Sequence, residues 1–582
     1  MEGRDASPRR PPNSPTLEDA RRKAGAVAVS KERQWDIGRQ RRAEKIERAK
    51  VALSGSLRGK IFSRDRTVVL LEALLSPGDR VCQEGNNQKQ ADFLAQALTE
   101  VDPSRVNNLH VVQSVVALPE HIEIFERGIA ARLDFCFCGP QAGRLTALLH
   151  EGRVSVGAIH NYLELFGRYF IDLTPQVSLI AAQAADSQGN LYTGPNTEDT
   201  PAIVEATAFR GGIVVAQVNE IVDRLPRVDV PADWVDFVVQ SPHPHLVEPL
   251  FTRDPALISE IQILMAMTAI KGIYAEYGVQ HLNHGIGFDT AAIELLLPTY
   301  AESLGLKGRI CRHWALNPHP TLIPAIESGF VESVHSFGSE SGMERYVAAR
   351  SDVFFTGADG SMRSNRAFCQ TAGLYACDLF IGSTLQIDLA GNSSTATKGR
   401  MTGFGGAPNM GSDARGRRHP TPAWLKAGEQ ARRGRDRMPR GRKLVVQIAE
   451  SFREHMVSTF VERLDAWDLA AAAGLDIPPV MIYGEDVTHI LTEEGIANLL
   501  LCRDEEDVEQ AIRGVAGYTD VGRKRDRRMV ENLRDRGVIT RPEDLGIDPR
   551  LATRDLLAAR SMKDLVRWSG GLYQPPARFR HW

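Results

Sequence analysis

Hydrophobic residues along the chain fall into short runs that end in turns, and these runs alternate with longer amphipathic segments. Apolar runs at 80–85, 110–118 and 133–139 predict buried strands, and the segment at 91–98 predicts a helix between two of them. A repeated order of strand, turn and helix predicts parallel βαβ units. Such sheets bind ligands at the carboxyl ends of their strands, so the loops that follow these runs are candidate sites.

The second half of the chain repeats this order. A strand and glycine turn begin at His281, a helix is predicted at 291–304, and Glu493 is predicted to begin another helix. Further strands are predicted at 309–316, 351–357, 378–391, 443–449 and 478–484. The repetition predicts an α/β fold of two domains, 51–275 and 276–582, with largely parallel sheets and a cleft between them. A cleft between domains is a favoured ligand site.

Two arginine-rich segments depart from this pattern. Residues 1–50 are rich in arginine and proline and have few aliphatic side chains to bury, which predicts a flexible or peripheral arm. Residues 412–443 form an arginine-rich insertion in the second domain. Most charge runs are solvated surfaces. With a net charge of −3 and a single tryptophan in each segment rather than a run of interleaved aromatic residues, nucleic-acid binding is not expected.

The densest group of glycines follows an alternating run at 385–389, the period of a half-buried strand. Gly391 and a serine- and threonine-rich stretch end that strand. The sequence GFGGAPNMG at 403–411 then leaves backbone N–H groups bare of side chains. Such a loop can aim N–H groups at a phosphate or at a developing oxyanion, and Gly405 and Gly406 are the candidates. A long surface turn would show the same composition.

Composition describes an ordinary globular protein. The chain has 582 residues, of which 43% are hydrophobic and 25% charged. The N-terminal residues show no apolar signal segment, and no apolar run reaches the roughly 18 residues of a membrane span. Seven scattered cysteines fit a reduced cytoplasm. Cys136 and Cys138 form one close pair without a partner cluster, which favours a buried strand over a metal site.

Several stretches together resemble a known family. LQIDLAGN (385–392) followed by GFGG, VVAQVNEIV (214–222) and THILTEEGIANL (488–499) resemble segments of the coenzyme A transferase superfamily. The longer GFGGAPNMGSDARGRRH (403–419) is similar to the alpha subunits of malonate decarboxylase. QEGNNQKQADFLAQAL, MIYGEDVTHI and WSGGLYQPPARF, at 83–98, 481–490 and 568–579, support the same resemblance.

This resemblance implies an acyl exchange in which acetyl-carrier and malonate give malonyl-carrier and acetate. The carrier protein would hold the acyl group on a coenzyme-A-like (phosphoribosyl-dephospho-CoA) arm, and the chain would need no metal and no cofactor of its own. The implied partners are the acyl carrier protein and the malonyl-carrier decarboxylase subunits, in a hetero-oligomer. Arg432, Arg433 and Arg435 would then steer the anionic carrier.

One departure from the superfamily concerns its catalytic glutamate, because residues 309–326 contain none. Malonate itself can instead attack the acetyl thioester, and the released thiolate can open the resulting anhydride. Gly405 and Gly406 are the expected oxyanion donors, with Asn219 as a further candidate that could equally cap a turn. Arg312, His313 and His319 are candidate malonate ligands or, equally, residues that cap a proline turn. If a covalent intermediate does form, Glu340 and Glu84 are the first candidates for the glutamate that carries it.

Three other functions are consistent with parts of the sequence. The chain could be an acyl-CoA:carboxylate CoA-transferase, a citrate lyase alpha-like transferase or a thioester hydrolase, although the missing glutamate argues against a standard CoA-transferase. A non-catalytic scaffold has no need of an oxyanion loop. A nucleic-acid-binding protein would use the arginine tracts, but no matching motif accompanies them.

Overall fold

The computed structural model describes residues 34–86, 89–355, 366–414, 417, 420–431 and 441–582. They form two α/β halves, each built around its own largely parallel sheet. The predicted fold class is therefore confirmed. Among these residues no helix has the length and apolar character needed to cross a membrane.

The first sheet has ten strands, and seven of its pairs are parallel. Its central part follows the order 213–222, 177–186, 80–83, 109–116 and 130–138 across the sheet. In chain order the strands are Leu57–Arg58, Ile61–Phe62, Arg80–Gln83, Leu109–Val116, Ala130–Cys138, Ser155–Ile159, Val177–Asp186, Leu191–Tyr192, Ile213–Val222 and Phe237–Gln240.

Alternate residues of these strands enter two separate cores. Val81 and Val111 point into one, and Cys82 and Val112 into the other, because side chains of a strand alternate between faces. Helices cover both faces, as parallel sheets require. They are Thr67–Leu74, Asp92–Thr99, Glu120–Glu126, Ala142–His150, Tyr162–Ile171 and Thr200–Phe209. Cys136 and Cys138 are buried in the strand Ala130–Cys138, which confirms the prediction for this pair.

The end of the predicted N-terminal arm is part of the folded first half. A helix at Gln34–Ala52 packs Ala49 into the core and buries an ion pair between Lys45 and Asp79. The composition of this segment is highly polar, so the helix packs through one narrow buried stripe rather than through a broad apolar face. Residues 1–33 lie outside the described residues.

The second sheet has eight strands in the order 333–335, 313–315, 281–284, 379–383, 444–448, 489–492, 495–498 and 539–540. The first six strands of this order are parallel and the last two pair antiparallel. By name they are Ser333–His335, His313–Ala315, His281–His284, Leu379–Ser383, Leu444–Ile448, His489–Thr492, Gly495–Asn498 and Ile539–Thr540. Short hairpins at Gln386–Ile387 with Ser393–Ser394, and Phe452–Arg453 with Val457–Ser458, lie beside this sheet.

Helices also cover the second sheet, and the long ones are Glu260–Ala269, Phe288–Leu296, Arg366–Tyr375, Pro422–Gln430, Ala466–Ala473, Glu505–Val515 and Arg527–Asp535. Shorter helices are Ile323–Glu327, Glu344–Ala349, Ala407–Met410, Asp520–Arg523 and Met562–Trp568.

Three predictions for the second half are wrong. Residues 351–355 end in a turn with a single bridge, Val334 to Phe354, and residues 478–484 form a loop held by one bridge to Ser393. Glu493 begins no helix, because Glu493 and Glu494 are the turn of the hairpin between 489–492 and 495–498. In the first two cases a short apolar run packs into the core with a single bridge instead of a strand ladder. In the third case a tight turn replaces the helix that its residues would favour.

Candidate functional site

The glycine loop leaves the second sheet and is fastened to the first. Phe404 N and Gly405 N each donate to Cys136 O at 3.0 Å, and Cys138 N donates to Thr402 O at 2.6 Å. The N–H of Gly405 is thus already engaged, so the structure contradicts its predicted use as an oxyanion donor. Gly405 instead supplies a turn, because its φ of +58° lies in the left-handed region that glycine adopts without strain.

The backbone N–H of Gly406, in contrast, is available for the predicted use as an oxyanion donor. Its N–H donates to no other residue of the described chain. A side chain at this position would clash with the amide of Gln370, which is buried and held by Asn409 Nδ2 at 2.7 Å. The backbone of Gly406 is therefore open on one side and tightly packed on the other.

Both glycines line a cavity of about 210 Å³ between the two halves. Phe137 and Tyr162 come from the first half, and His284, Arg366 and Phe404 from the second. None of the described lining residues is an aspartate or glutamate. A carboxylate that reacts in this cavity would therefore have to arrive with the substrate or move in from behind the wall.

Arg366 is the cation of this cavity, and it is not among the site residues predicted from the sequence. It begins the helix Arg366–Tyr375, with Gln370 one turn later on the same side. Its guanidinium is ion-paired with Glu198 and Asp199, and it lies 4.4 Å over the ring of Tyr162. An R-x-x-x-Q spacing before a glycine loop is the only local signal that could have drawn attention to it.

A buried cluster of two histidines and one carboxylate lies beside the cavity. Glu294 Oε1 meets His319 Nδ1 at 2.8 Å and His284 Nδ1 at 3.0 Å, while Thr321 donates to the other oxygen. Burial opposes ionisation of Glu294, but the two histidines outweigh burial and lower its pKa to about 2. His284 lines the cavity, and Tyr274 binds its second nitrogen at 2.8 Å.

His319, one of the three predicted malonate ligands, is close to the cavity. Its ring stacks on Phe251 at 5.0 Å, and Phe251 lines the cavity. The Nε2 atom of His319 is buried and has no hydrogen-bond partner among the described residues. His319 is therefore the predicted ligand whose position suits a substrate best.

Arg312 and His313 lie elsewhere. Both are at the amino end of the strand His313–Ala315, whereas the cavity is at the carboxyl end of the sheet. Arg312 donates to both carboxylate oxygens of Glu332, at 2.6 Å each. His313 bonds Ser333 at 2.9 Å and lines a different pocket. The length of this strand separates Arg312 and His313 from the cavity, so the structure does not bring them to the glycine loop.

Asn219 is also away from the cavity. It lies within the strand Ile213–Val222 rather than after it. Its amide donates to Gln183 at 3.1 Å and accepts from His245 N at 2.8 Å. Asn219 thus fixes a loop in the first half, which is the capping role that its sequence position also allowed.

Glu84 and Glu340, the two candidates for a covalent intermediate, are both held by contacts within the folded chain. Glu84 Oε2 accepts from Ala181 N at 2.8 Å, and its Oε1 meets Lys89 at 3.2 Å. Glu340 Oε1 accepts from the backbone of Phe251 and Thr252 at 3.0 and 2.9 Å. Both side chains are fully buried, so neither is presented to the cavity.

Arg432, Arg433 and Arg435 lie outside the described residues. Within the described part of the chain, no group of three or more histidine, cysteine or acidic side chains has the arrangement to hold a metal ion.

Asp289 adds a titratable group next to the cavity wall. Ser383, which lines the cavity, donates to its Oδ2 at 3.2 Å. Burial and, to a lesser degree, the charge of Glu450 raise the pKa of Asp289 to about 7.

This shift predicts how stability depends on pH. Between its ordinary pKa near 3.8 and about 7, Asp289 holds a proton only in the folded state, so its contribution to stability falls as pH rises. Asp289→Asn should therefore raise the free energy of unfolding more at about pH 8 than at about pH 5, by roughly 3 kcal/mol. Thermal unfolding at both pH values measures this, with Asp233→Asn on an exposed turn as the control. An equal change at both pH values would contradict it.

Comparison with known proteins adds the family context. A family model described as "Malonate decarboxylase, alpha subunit, transporter" matches residues 34–582. The chain is 60% identical to an acetyl-S-ACP:malonate ACP transferase from Malonomonas rubra over 558 residues, which is 95% of this chain and 100% of that protein.

Solved structures agree with this relationship. One is a Pseudomonas malonate decarboxylase hetero-tetramer in complex with malonate, with 58% identity, a TM-score of 0.91, and coverage of 95% of this chain and 100% of that chain. Another is a malonate decarboxylase alpha subunit from Acinetobacter baumannii, with 56% identity, a TM-score of 0.91, and coverage of 94% and 100%. A putative citrate lyase alpha subunit from Streptococcus mutans shares the fold at 15% identity and a TM-score of 0.55, over 78% and 82% of the two chains.

Proposed function

Because the chain belongs to the family of malonate decarboxylase alpha subunits, we propose that it moves an acyl-carrier-protein thioester from acetate to malonate. The reaction is acetyl-S-carrier plus malonate giving malonyl-S-carrier plus acetate. The observation that carries this proposal is the 60% identity to a transferase of that name across its whole length. An open Gly406 N–H in a cavity between the two halves supports it.

The chemistry proceeds by direct attack. A malonate oxygen bonds to the acetyl carbonyl carbon, the C–S bond breaks, and the carrier thiolate leaves. The thiolate then attacks the malonyl carbonyl of the mixed anhydride, and acetate departs with the bridging oxygen. No described aspartate or glutamate lines the cavity, which supports a route without an enzyme-bound acyl group.

Within this scheme, Gly406 N–H stabilises the oxyanion of the tetrahedral intermediate, and His319 is a ligand for malonate. The group that carries the thiol is the coenzyme-A-like arm of the carrier protein, and the chain supplies binding and orientation. Arg432, Arg433 and Arg435 steer the anionic carrier by long-range attraction.

The proposed setting is a cytoplasmic hetero-oligomer with the carrier protein and the decarboxylase subunits. Support comes from the hetero-tetramer formed by the Pseudomonas relative and from seven free, buried cysteines, which suit a reducing compartment.

A single-turnover experiment tests the mechanism. Purified chain, acetyl-carrier and malonate labelled with oxygen-18 in both carboxylates are mixed, and the first equivalent of acetate is analysed by mass spectrometry. Direct attack predicts one labelled oxygen in that acetate. Enzyme and acetyl-carrier without malonate should leave the mass of the chain unchanged. Unlabelled acetate in the first turnover, or a stable increase in the mass of the chain, would exclude direct attack.

A further inference from the structure

Arg366 is fixed on three sides by residues of the first half. Glu198 holds Nη2, Asp199 Oδ1 lies 2.8 Å from Nε, and the ring of Tyr162 covers one face of the guanidinium. The Arg366 side chain is 4% exposed, and both carboxylates are buried. Such a cation cannot move without breaking two buried ion pairs.

One edge of this guanidinium remains unused. Arginine carries five N–H donors, and two belong to Nη1. Nη1 of Arg366 has no partner among the described residues, and Arg366 lines the cavity. Nη2 is hydrogen-bonded to Glu198, and Nε faces Asp199 Oδ1 without a hydrogen bond among the described residues, so Nη1 is the part that can bind a ligand in the cavity.

Arg366 and the glycine loop line the same cavity, so both can contact one acid with two charged ends. Gln370, four residues after Arg366, contacts the position where a Gly406 side chain would lie. Residues four apart on a helix are about 5–6 Å apart at their Cβ atoms. A three-carbon diacid can therefore react beside Gly406 with one carboxylate while the other reaches Arg366.

The segment that provides Glu198 and Asp199 is strained, which argues that its position matters. Glu198 has a φ of +42°, in the left-handed region that non-glycine residues rarely adopt. Strained residues of this kind cluster at ligand sites, where the surrounding structure holds them in place. Asn317 follows the strand His313–Ala315 of the second sheet. Its amide donates to Glu198 at 3.4 Å and helps to hold it.

We propose that Arg366 Nη1 binds the non-reacting carboxylate of the incoming acid and so selects dicarboxylates over monocarboxylates. Glu198 and Asp199 are positioning residues that orient the guanidinium from the first half. The inference rests on the proposed function, since it names the residue that recognises the acid in that exchange. Arginine suits the task because its planar fork matches a carboxylate.

The test compares two exchanges catalysed by the same protein. One uses acetyl-carrier with malonate, and the other uses acetyl-carrier with carbon-14 acetate, which has no second carboxylate. In Arg366→Lys, kcat/KM for malonate should fall about 10- to 100-fold more than kcat/KM for acetate, because hydrogen bonds between charged groups are lost. Arg513→Lys is the matched control, since Arg513 is also buried and paired with two carboxylates, Glu509 and Glu462, but lies away from the cavity.

An equal loss for both acids in Arg366→Lys, or an unchanged malonate reaction, would overturn the inference. If wild-type protein exchanges neither acid, the proposed function itself fails. Should Arg366→Lys not fold, Glu198→Gln provides the second variant, with a raised KM for malonate and an unchanged KM for acetate expected. Parallel changes in both KM values would overturn the inference there as well.

Discussion

Gly406→Val is expected to slow the exchange of acetyl-carrier with malonate by about 10²–10³-fold, the usual effect of losing one oxyanion donor. The valine side chain would meet the Gln370 amide, which Asn409 holds in place, so the backbone of the loop must move away. Its N–H would then no longer point to the position of the thioester oxygen. Because the donor acts mainly on the transition state, kcat should fall more than KM changes.

The matched control is Gly143→Val. Gly143 lies in the helix Ala142–His150 with open space around its Cβ position. Circular dichroism and thermal unfolding establish that both variants are folded. A folded Gly406→Val protein with exchange within about twofold of wild type would remove this N–H from the oxyanion site.

Glu294→Gln should have the largest effect on stability. Glu294 is a fully buried carboxylate that binds His284, His319 and Thr321, and removal of one partner from a buried ion pair typically costs about 3–5 kcal/mol. Denaturant unfolding at about pH 7 measures the loss. The exchange should also slow, because His284 lines the cavity and would lose the group that orients it.

The pH dependence of this effect has a definite sign. The pKa of Glu294 falls from about 4.5 to about 2 on folding, so its stabilising contribution is complete above about pH 4.5 and is lost as pH falls toward 2. The difference between wild type and Glu294→Gln should therefore shrink as pH falls below about 4.5. Glu509→Gln, at a half-exposed ion pair, is the control and should cost about 1 kcal/mol or less. A difference that stays constant down to about pH 3 would contradict the assignment of charge to Glu294.

The cavity joins groups from both halves, and this explains why neither half is a complete site. The first half supplies Cys136 O, which bends the glycine loop, and the carboxylates that hold Arg366. The second half supplies Gly406, Arg366 and the histidine cluster. A change in how the halves meet would therefore alter the oxyanion donor and the cation together.

Three features could be predicted from the sequence: the α/β class, the strands at the centre of both sheets and the segment that carries the loop at the cavity. These features depend on local periodicity, as at 109–116 and 213–222, and on glycine density, so they can be recognised without knowing what packs against them. Recognisable segments of the family lie in the same loop and strands.

Tertiary structure alone decided which groups the cavity presents. Gly405 lost its N–H to Cys136, a residue of the other half, whereas Gly406 beside it remained open. Arg366 and Glu294 lie in helices, where a charge usually faces solvent, and only long-range packing buried them against partners far away in the chain. Hydrogen bonding and burial of a charge depend on neighbours in space, and these neighbours are fixed only when the two sheets come together.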